Sequence, residues 1–202
     1  MKLKDQRIVG ETLELDDGQV HAHAFGPNLE LAQCHIKILC AARSLIIGGF
    51  AMIEGEFEAA KKQTDTQYYT VRFDRTKISG SFRGCDFGSD GKKNHELGAV
   101  VGCDFSNADL DMCRLMNVDI DSCVFAPWPE VVLIGPRNNI QLELISNLPG
   151  KWPRIMSSFS KSPEFCSAIV FNVSALERSA GGEFKELRAL LQACPFVRIA
   201  HG

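Results

Sequence analysis

From Cys103 to Phe125 the chain keeps time in fives. Large apolar residues stand at Phe105, Leu110, Leu115, Ile120 and Phe125, and two places before each stand Cys103, Ala108, Cys113, Val118 and Cys123. An α-helix returns its buried face about every 3.6 residues and a flat strand every 2, so neither holds a large and a small residue at fixed places in every five. A solenoid built of short strands and tight turns does.

The pattern extends upstream with interruptions. Gly98 with Val100 keeps phase, the polar insertion 88–97 breaks it, and Cys85 with Phe87, Gly80 with Phe82, Thr76 with Ile78 and Val71 with Phe73 recover it with one slip between Ile78 and Phe82. Earlier still, LELAQCHIKILC, SLIIGG and FAMIEGEF are β-prone runs separated by small residues, consistent with further coils.

The repeat resembles that of the pentapeptide-repeat family, in which a small residue, Asp or Asn, Leu or Phe, a polar residue and Gly or a polar residue follow in turn. Cys103-Asp104-Phe105-Ser106-Asn107 and Ala108-Asp109-Leu110-Asp111-Met112 carry the resemblance. It covers 98–125 closely and 71–87 more loosely. It implies a mainly β fold, a right-handed quadrilateral β-helix in which four pentapeptides close one square coil. Phe125 then stacks on Phe105, and Cys123 on Cys103, at about the 4.8 Å strand spacing. Under that fold the cysteines are small core residues; Cys103, Cys113 and Cys123 have apolar neighbours and no partner at zinc spacing.

Pro127 and Pro129 end the repeat and divide a solenoid domain, 1–125, from a C-terminal unit, 130–202. In that unit EVVLI, SAIVFNV and PFVRIA read as strands, and 137–146, 151–158, 174–180 and 183–194 as helices. In the last, Phe184, Leu187, Leu190 and Leu191 make the apolar stripe. The alternation predicts a small α/β unit with a parallel three-stranded sheet, placed to cap the solenoid's open end.

Eight cysteines without a C-x-x-C pair, in a chain whose start lacks an apolar leader, predict free thiols and a cytoplasmic protein. No apolar run reaches membrane-spanning length. The net charge of −3 excludes nucleic-acid binding by bulk electrostatics. The search for chemistry returns little. His21-Ala22-His23 has two-ligand spacing but no third ligand and reads as a surface pair, and Gly135-Pro136-Arg137 reads as a plain turn. No nucleotide-binding, hydrolase or metalloprotease motif occurs, so no catalytic residue, metal or cofactor is assigned.

Residues 100–125 hold five Asp against Arg114 alone. Asp104, Asp109, Asp111, Asp119 and Asp121 flank the core positions and are expected to point outward, as a solvated wall or as a docking surface for a basic partner. Tyr68 and Tyr69 are the second candidate anchors, as exposed aromatics. A rigid solenoid suits recognition more than turnover, so the leading expectation is a non-enzymatic protein-binding module. The family resemblance sharpens this to a cytoplasmic bacterial immunity protein that neutralises a toxin, such as a nuclease. It offers as an alternative a DNA mimic protecting DNA gyrase, against which stand the modest charge and the interrupted repeat. An enzyme housed in the C-terminal unit is the third expectation.

Overall fold

A computed structural model describes residues 1–18, 22–92 and 97–200. The chain winds into a β-solenoid of about five turns. The first coil lays down β1 (Lys2–Leu3), β2 (Gln6–Val9) and β3 (Thr12–Leu15); the second β4 (His23–Phe25), β5 (Leu29–Ala32) and β6 (His35–Ile38). The third contains β7 (Leu45–Ile47), β8 (Phe50–Ile53) and β9 (Glu56–Thr64), and the fourth β10 (Gln67–Tyr68), β11 (Val71–Asp74) and β12 (Lys77–Arg83). The fifth contains β13 (Asp86–Gly88), β14 (Ala99–Val101) and β15 (Asp104–Asp111); β16 (Cys113–Met116) and β17 (Val124–Phe125) follow. Strands of like place stack in parallel, giving the sheets β1-β4-β7, β2-β5-β8-β11-β14 and β3-β6-β9-β12-β15-β17. The strands β10-β13-β16 of the later coils belong to a fourth sheet, which continues into three strands of the C-terminal unit.

The stack expected from the fives is present. Phe105 pairs with Phe125, and their rings lie 5.5 Å apart and 5° from parallel. Earlier coils are longer: His35 pairs with Glu56 and Glu56 with Lys77, 21 residues apart each time. The register shifts between Gly80 and Phe82, where the sequence pattern slips: Gly80 pairs with Ala59 and Phe82 with Gln63.

Each coil turns the same corner between its second and third sides. Gly10, Gln33, Glu54, Arg75 and Gly102 stand there with φ of 71°, 54°, 53°, 46° and 61°. For the three non-glycines this left-handed backbone costs about 1–2 kcal/mol apiece. Inter-coil hydrogen bonds offset that cost: Gly10 N–H donates to Ala32 O at 3.0 Å, Gln33 to Ile53 at 2.8 Å, Glu54 to Asp74 at 2.9 Å and Arg75 to Val101 at 2.8 Å. Just past the corner, small side chains donate back to the coil before. Cys34 reaches Ile8 O at 3.4 Å, Thr76 reaches Met52 O at 3.1 Å and Cys103 reaches Phe73 O at 3.5 Å. A second column repeats this with Cys85 on Gln63 O and Cys113 on Phe82 O. All eight cysteines are buried free thiols.

After β17 come β18 (Glu130–Ile134), α1 (Pro136–Asn139), α2 (Leu142–Ile145), α3 (Trp152–Phe159), β19 (Cys166–Asn172), α4 (Val173–Ala180), α5 (Leu187–Gln192) and β20 (Val197–Arg198). The expected parallel pairing is not what forms. β19 lies between β16 and β18 and is antiparallel to both, and β20 is antiparallel to β18. The reason is the return path: Ile134, at the end of β18, pairs with Ala168 near the start of β19, so α1–α3 bring the chain back to the same end of the sheet instead of crossing it. The helix expected over 137–146 breaks at Ile140 and Gln141, and the one expected over 183–194 is shortened to α5. Trp152, Met156, Phe159, Phe171, Leu187 and Leu191 form a second core on the outer face of this sheet.

The interior phase has a direct test. Leu110 is fully buried whereas its neighbour Asp109 is exposed. Leu110→Ala should destabilise the protein by about 2–5 kcal/mol in denaturant unfolding, and Asp109→Ala should stay within roughly 0.5 kcal/mol. Equal losses would mean that the solenoid is packed in a different phase.

Candidate functional site

The last coils place the five aspartates differently from one another. Asp104 is half-buried and its carboxylate accepts from Ser106 N–H at 2.9 Å. Asp109 is exposed, accepting from Ser81 Oγ at 3.2 Å and from Asn172 Nδ2 at 3.3 Å. Asp119 is exposed and caps the 3-10 turn that follows it by accepting from Asp121 N–H at 3.1 Å. Asp121 is exposed and pairs with Arg198. Asp111 departs from the expectation: it is only 6% exposed. It lies 3.4 Å from Arg83 Nε, and burial raises its pKa. It is the last residue of β15, next to Met112, whose φ of 58° turns the chain, and the simple inside-outside alternation fails at that strand end.

The wall to which these residues belong is charge-balanced along the ladder. On the third side His35, Glu56, Lys77 and Asp104 occupy one cross-coil row, alternating in character from coil to coil. His35 also reaches forward to Glu58 of the following coil, with Nε2 2.9 Å from Oε2. Cross-strand pairs of opposite sign stabilise a sheet locally and shorten the reach of its field.

Tyr68 and Tyr69 are not exposed anchors. Tyr68 is fully buried and stacks on Phe87 at 5.0 Å; Tyr69 is 8% exposed and donates its hydroxyl to Asp86 Oδ2 at 2.5 Å. The interior column explains Tyr68, since Gln67-Tyr68 pairs in register with Asp86-Phe87 and an aromatic ring fits the same interior place, whereas Tyr69 packs into the second core with Met116 and Trp152. Asp86 also receives Arg114 Nε at 2.6 Å and Nη2 at 2.7 Å, a bidentate pair that raises the Arg114 pKa. This buried Tyr69-Asp86-Arg114 cluster was not foreseen. Its one signal is the Cys-Asp-Phe triplet at 85–87, the same triplet as at 103–105.

Of the histidine pair, His21 lies outside the described residues. His23 is buried rather than on the surface, its Nε2 3.0 Å from Asp16 O. Among the described residues no three His, Cys, Asp or Glu gather as a metal-ligand set, and no helix is long and apolar enough to cross a membrane. A cleft of about 430 Å³ between the last coils and α3 is lined by Met112, Arg114, Phe159, Lys161 and Ile169 among others. Its described lining holds no carboxylate or histidine, and the Arg114 head is committed to Asp86. This arrangement supplies no acid-base pair at that cleft.

Glu130 was also missed. It is 3% exposed at the start of β18, and its Oε2 accepts from Leu110 N–H at 3.0 Å. β17 pairs only with Asp104 and Phe105, so beyond them β15 has no further parallel strand, and the carboxylate stands where a carbonyl of the next coil would. Burial pushes its pKa up to about 8. Family models, characterised protein sequences and solved structures were all compared with the chain, and none matches it.

The raised value gives stability a slope with pH. A carboxyl whose folded pKa exceeds its unfolded one favours the protonated native state, so its contribution is intact below about pH 4.5 and is lost as pH rises toward 8. Glu130→Gln retains an oxygen for Leu110 N–H and removes the titration. Denaturant midpoints at about pH 5 and about pH 8 should therefore converge in the variant. An unchanged gap between them would place the pH dependence elsewhere.

Proposed function

We propose that the chain is a non-enzymatic protein-binding module, a right-handed quadrilateral solenoid of the pentapeptide-repeat kind ending in an α/β cap, and that it serves as a cytoplasmic immunity protein neutralising a basic toxin such as a nuclease. The observation that carries this reading is where free negative charge remains. Along the third side Glu56 and Asp104 stand against His35 and Lys77, whereas Asp109, bonded only to the neutral Ser81 and Asn172, and Asp119 stay exposed without an ion pair among the described residues, beside Asp121, exposed and paired with Arg198. A rigid backbone displaying carboxylates in this way speeds encounter with a positive surface and holds the register of docking. Asp104 and Asp111 belong to its support rather than its contact, and Tyr68 and Tyr69 to its core.

The balanced rows argue against a DNA mimic, which needs unbroken negative charge along its length. The lining of the α3 cleft gives an enzymatic reading no acid-base pair.

The test begins with cross-linking in a bacterial host and mass spectrometry of the captured protein, followed by association kinetics with that protein. The triple variant Asp109→Asn, Asp119→Asn and Asp121→Asn keeps the hydrogen-bonding caps and removes the charge. A basic partner whose toxic activity is inhibited, with an on-rate roughly tenfold slower for the variant and a flatter salt dependence, is the expected result. An unchanged on-rate and salt slope, or an acidic partner, would overturn the assignment.

A further inference from the structure

Two of the buried thiols meet across neighbouring coils. Asp86 pairs in parallel register with Arg114, and Arg114 N–H donates to Cys85 O at 2.9 Å, so Cys85 and Cys113 occupy the same place one coil apart. Stacked strands lie about 4.8 Å apart, inside the Cα separation of roughly 4.4–6.8 Å that a disulfide spans. The side chains run the same way: Cys85 donates to Gln63 O and Cys113 to Phe82 O, each a carbonyl of the coil before. The two thiols are also hydrogen-bonding neighbours of each other.

The pair is chemically unequal. The hydrogen bond with Cys113 lowers the Cys85 pKa, and the same contact, with burial, raises that of Cys113. The thiol that ionises more readily is the attacking group, and its neighbour is placed to resolve what forms. The other stacked pair lacks this asymmetry. Cys123 follows Cys103 one coil on, since Val124 pairs with Asp104, but its sulfur lies 3.7 Å from Ser122 Oγ, and burial raises both thiols, Cys103 to about 11.

The place can also be approached. Gly84 and Met112, the residues just before the two cysteines, line the cleft of about 430 Å³ in front of α3, together with Arg114, which follows Cys113. Gly84 and Met112 turn the chain there with φ of 63° and 58°. Both cysteines are fully buried, so a small uncharged oxidant reaches them through local opening of this corner.

We propose that Cys85 and Cys113 form a redox-sensitive dithiol, oxidised by a hydroperoxide to a disulfide that bridges the starts of β13 and β16. The Cys85 thiolate attacks one peroxide oxygen and the O–O bond breaks. The other oxygen leaves and is protonated to water or an alcohol, while Cys85 becomes a sulfenic acid. Cys113 gives up its proton and attacks that sulfur; the S–O bond breaks, and the departing hydroxide takes the proton and leaves as water. Two electrons pass from the two sulfurs to the peroxide. The new bond closes residues 86–112 into a loop that contains the polar insertion 88–97, so oxidation makes the end of the stack harder to unwind.

The experiment treats the full chain with hydrogen peroxide, then unfolds it, alkylates it and maps it by mass spectrometry. The Cys85 and Cys113 peptides should be recovered joined and lighter by two hydrogens, with the six other cysteines alkylated. The denaturant midpoint should rise on oxidation and fall back when a dithiol reductant is added. Cys113→Ser, which keeps a small donor in the column, should lose the cross-link and leave on Cys85 a sulfenic acid that dimedone traps, whereas Cys103→Ser should keep the cross-link. If Cys113→Ser does not fold, the wild-type peptide map and midpoint decide alone. A folded protein that yields no Cys85–Cys113 peptide, an equal yield of a Cys103–Cys123 disulfide, a cross-linked protein with an unmoved midpoint, or a dimedone adduct on another cysteine would each overturn the proposal.

Discussion

Everything in this fold depends on one coil presenting to the next the shape and the hydrogen-bonding groups that the coil before presented to it. The corner column makes the constraint concrete. Gly10, Gln33, Glu54, Arg75 and Gly102 accept a left-handed backbone because in that conformation the first four hand their N–H groups to the coil above. The column beside it has the same logic in side chains. Cys34, Thr76 and Cys103 share little except small volume and a donor that reaches the carbonyl of the coil below. A thiol there is a compact donor suited to a dry place, which accounts for a cysteine-rich interior without any disulfide or metal.

That constraint explains what was legible in the sequence. The fives could be read where a coil is twenty residues long, as from Asp104 to Val124, since both large and small residues then recur in phase. They fade where the coil is 21 residues, which four fives do not fill, and where the register shifts between Gly80 and Phe82, since such a shift leaves no compositional mark. The first coil was legible in principle, as Leu3, Ile8 and Leu13 are five apart, yet three residues in a polar stretch do not stand out until the coils above give them a place.

Side-chain roles were harder to read than the winding. Tyr68 and Tyr69 look like surface aromatics in a polar stretch, and the difference is made by neighbours distant in sequence: Phe87 under one ring and Asp86 under the other hydroxyl. Asp111 and Asp109 are two residues apart and alike in composition. Asp109 is exposed within the strand and Asp111 is buried at the strand's last residue, beside Arg83. The antiparallel turn of the C-terminal sheet was hidden for a similar reason, since alternation of strand and helix fixes the elements but not the end at which the chain re-enters.

The ladder also decides where function is able to reside. Inside the stack, carboxylates and cations are placed opposite each other coil by coil, and backbone groups are consumed by neighbours, so the walls offer little unsatisfied chemistry. Among the described residues the ends break this closure. At one end a buried carboxylate, Glu130, substitutes for the absent strand at a cost in desolvation, and exposed aspartates are left without a following coil. At the other, half-covered leucines and an isoleucine stand behind three unpaired edges. The two ends of the stack therefore differ in kind: one holds a buried carboxylate beside exposed aspartates, the other a partly covered apolar face.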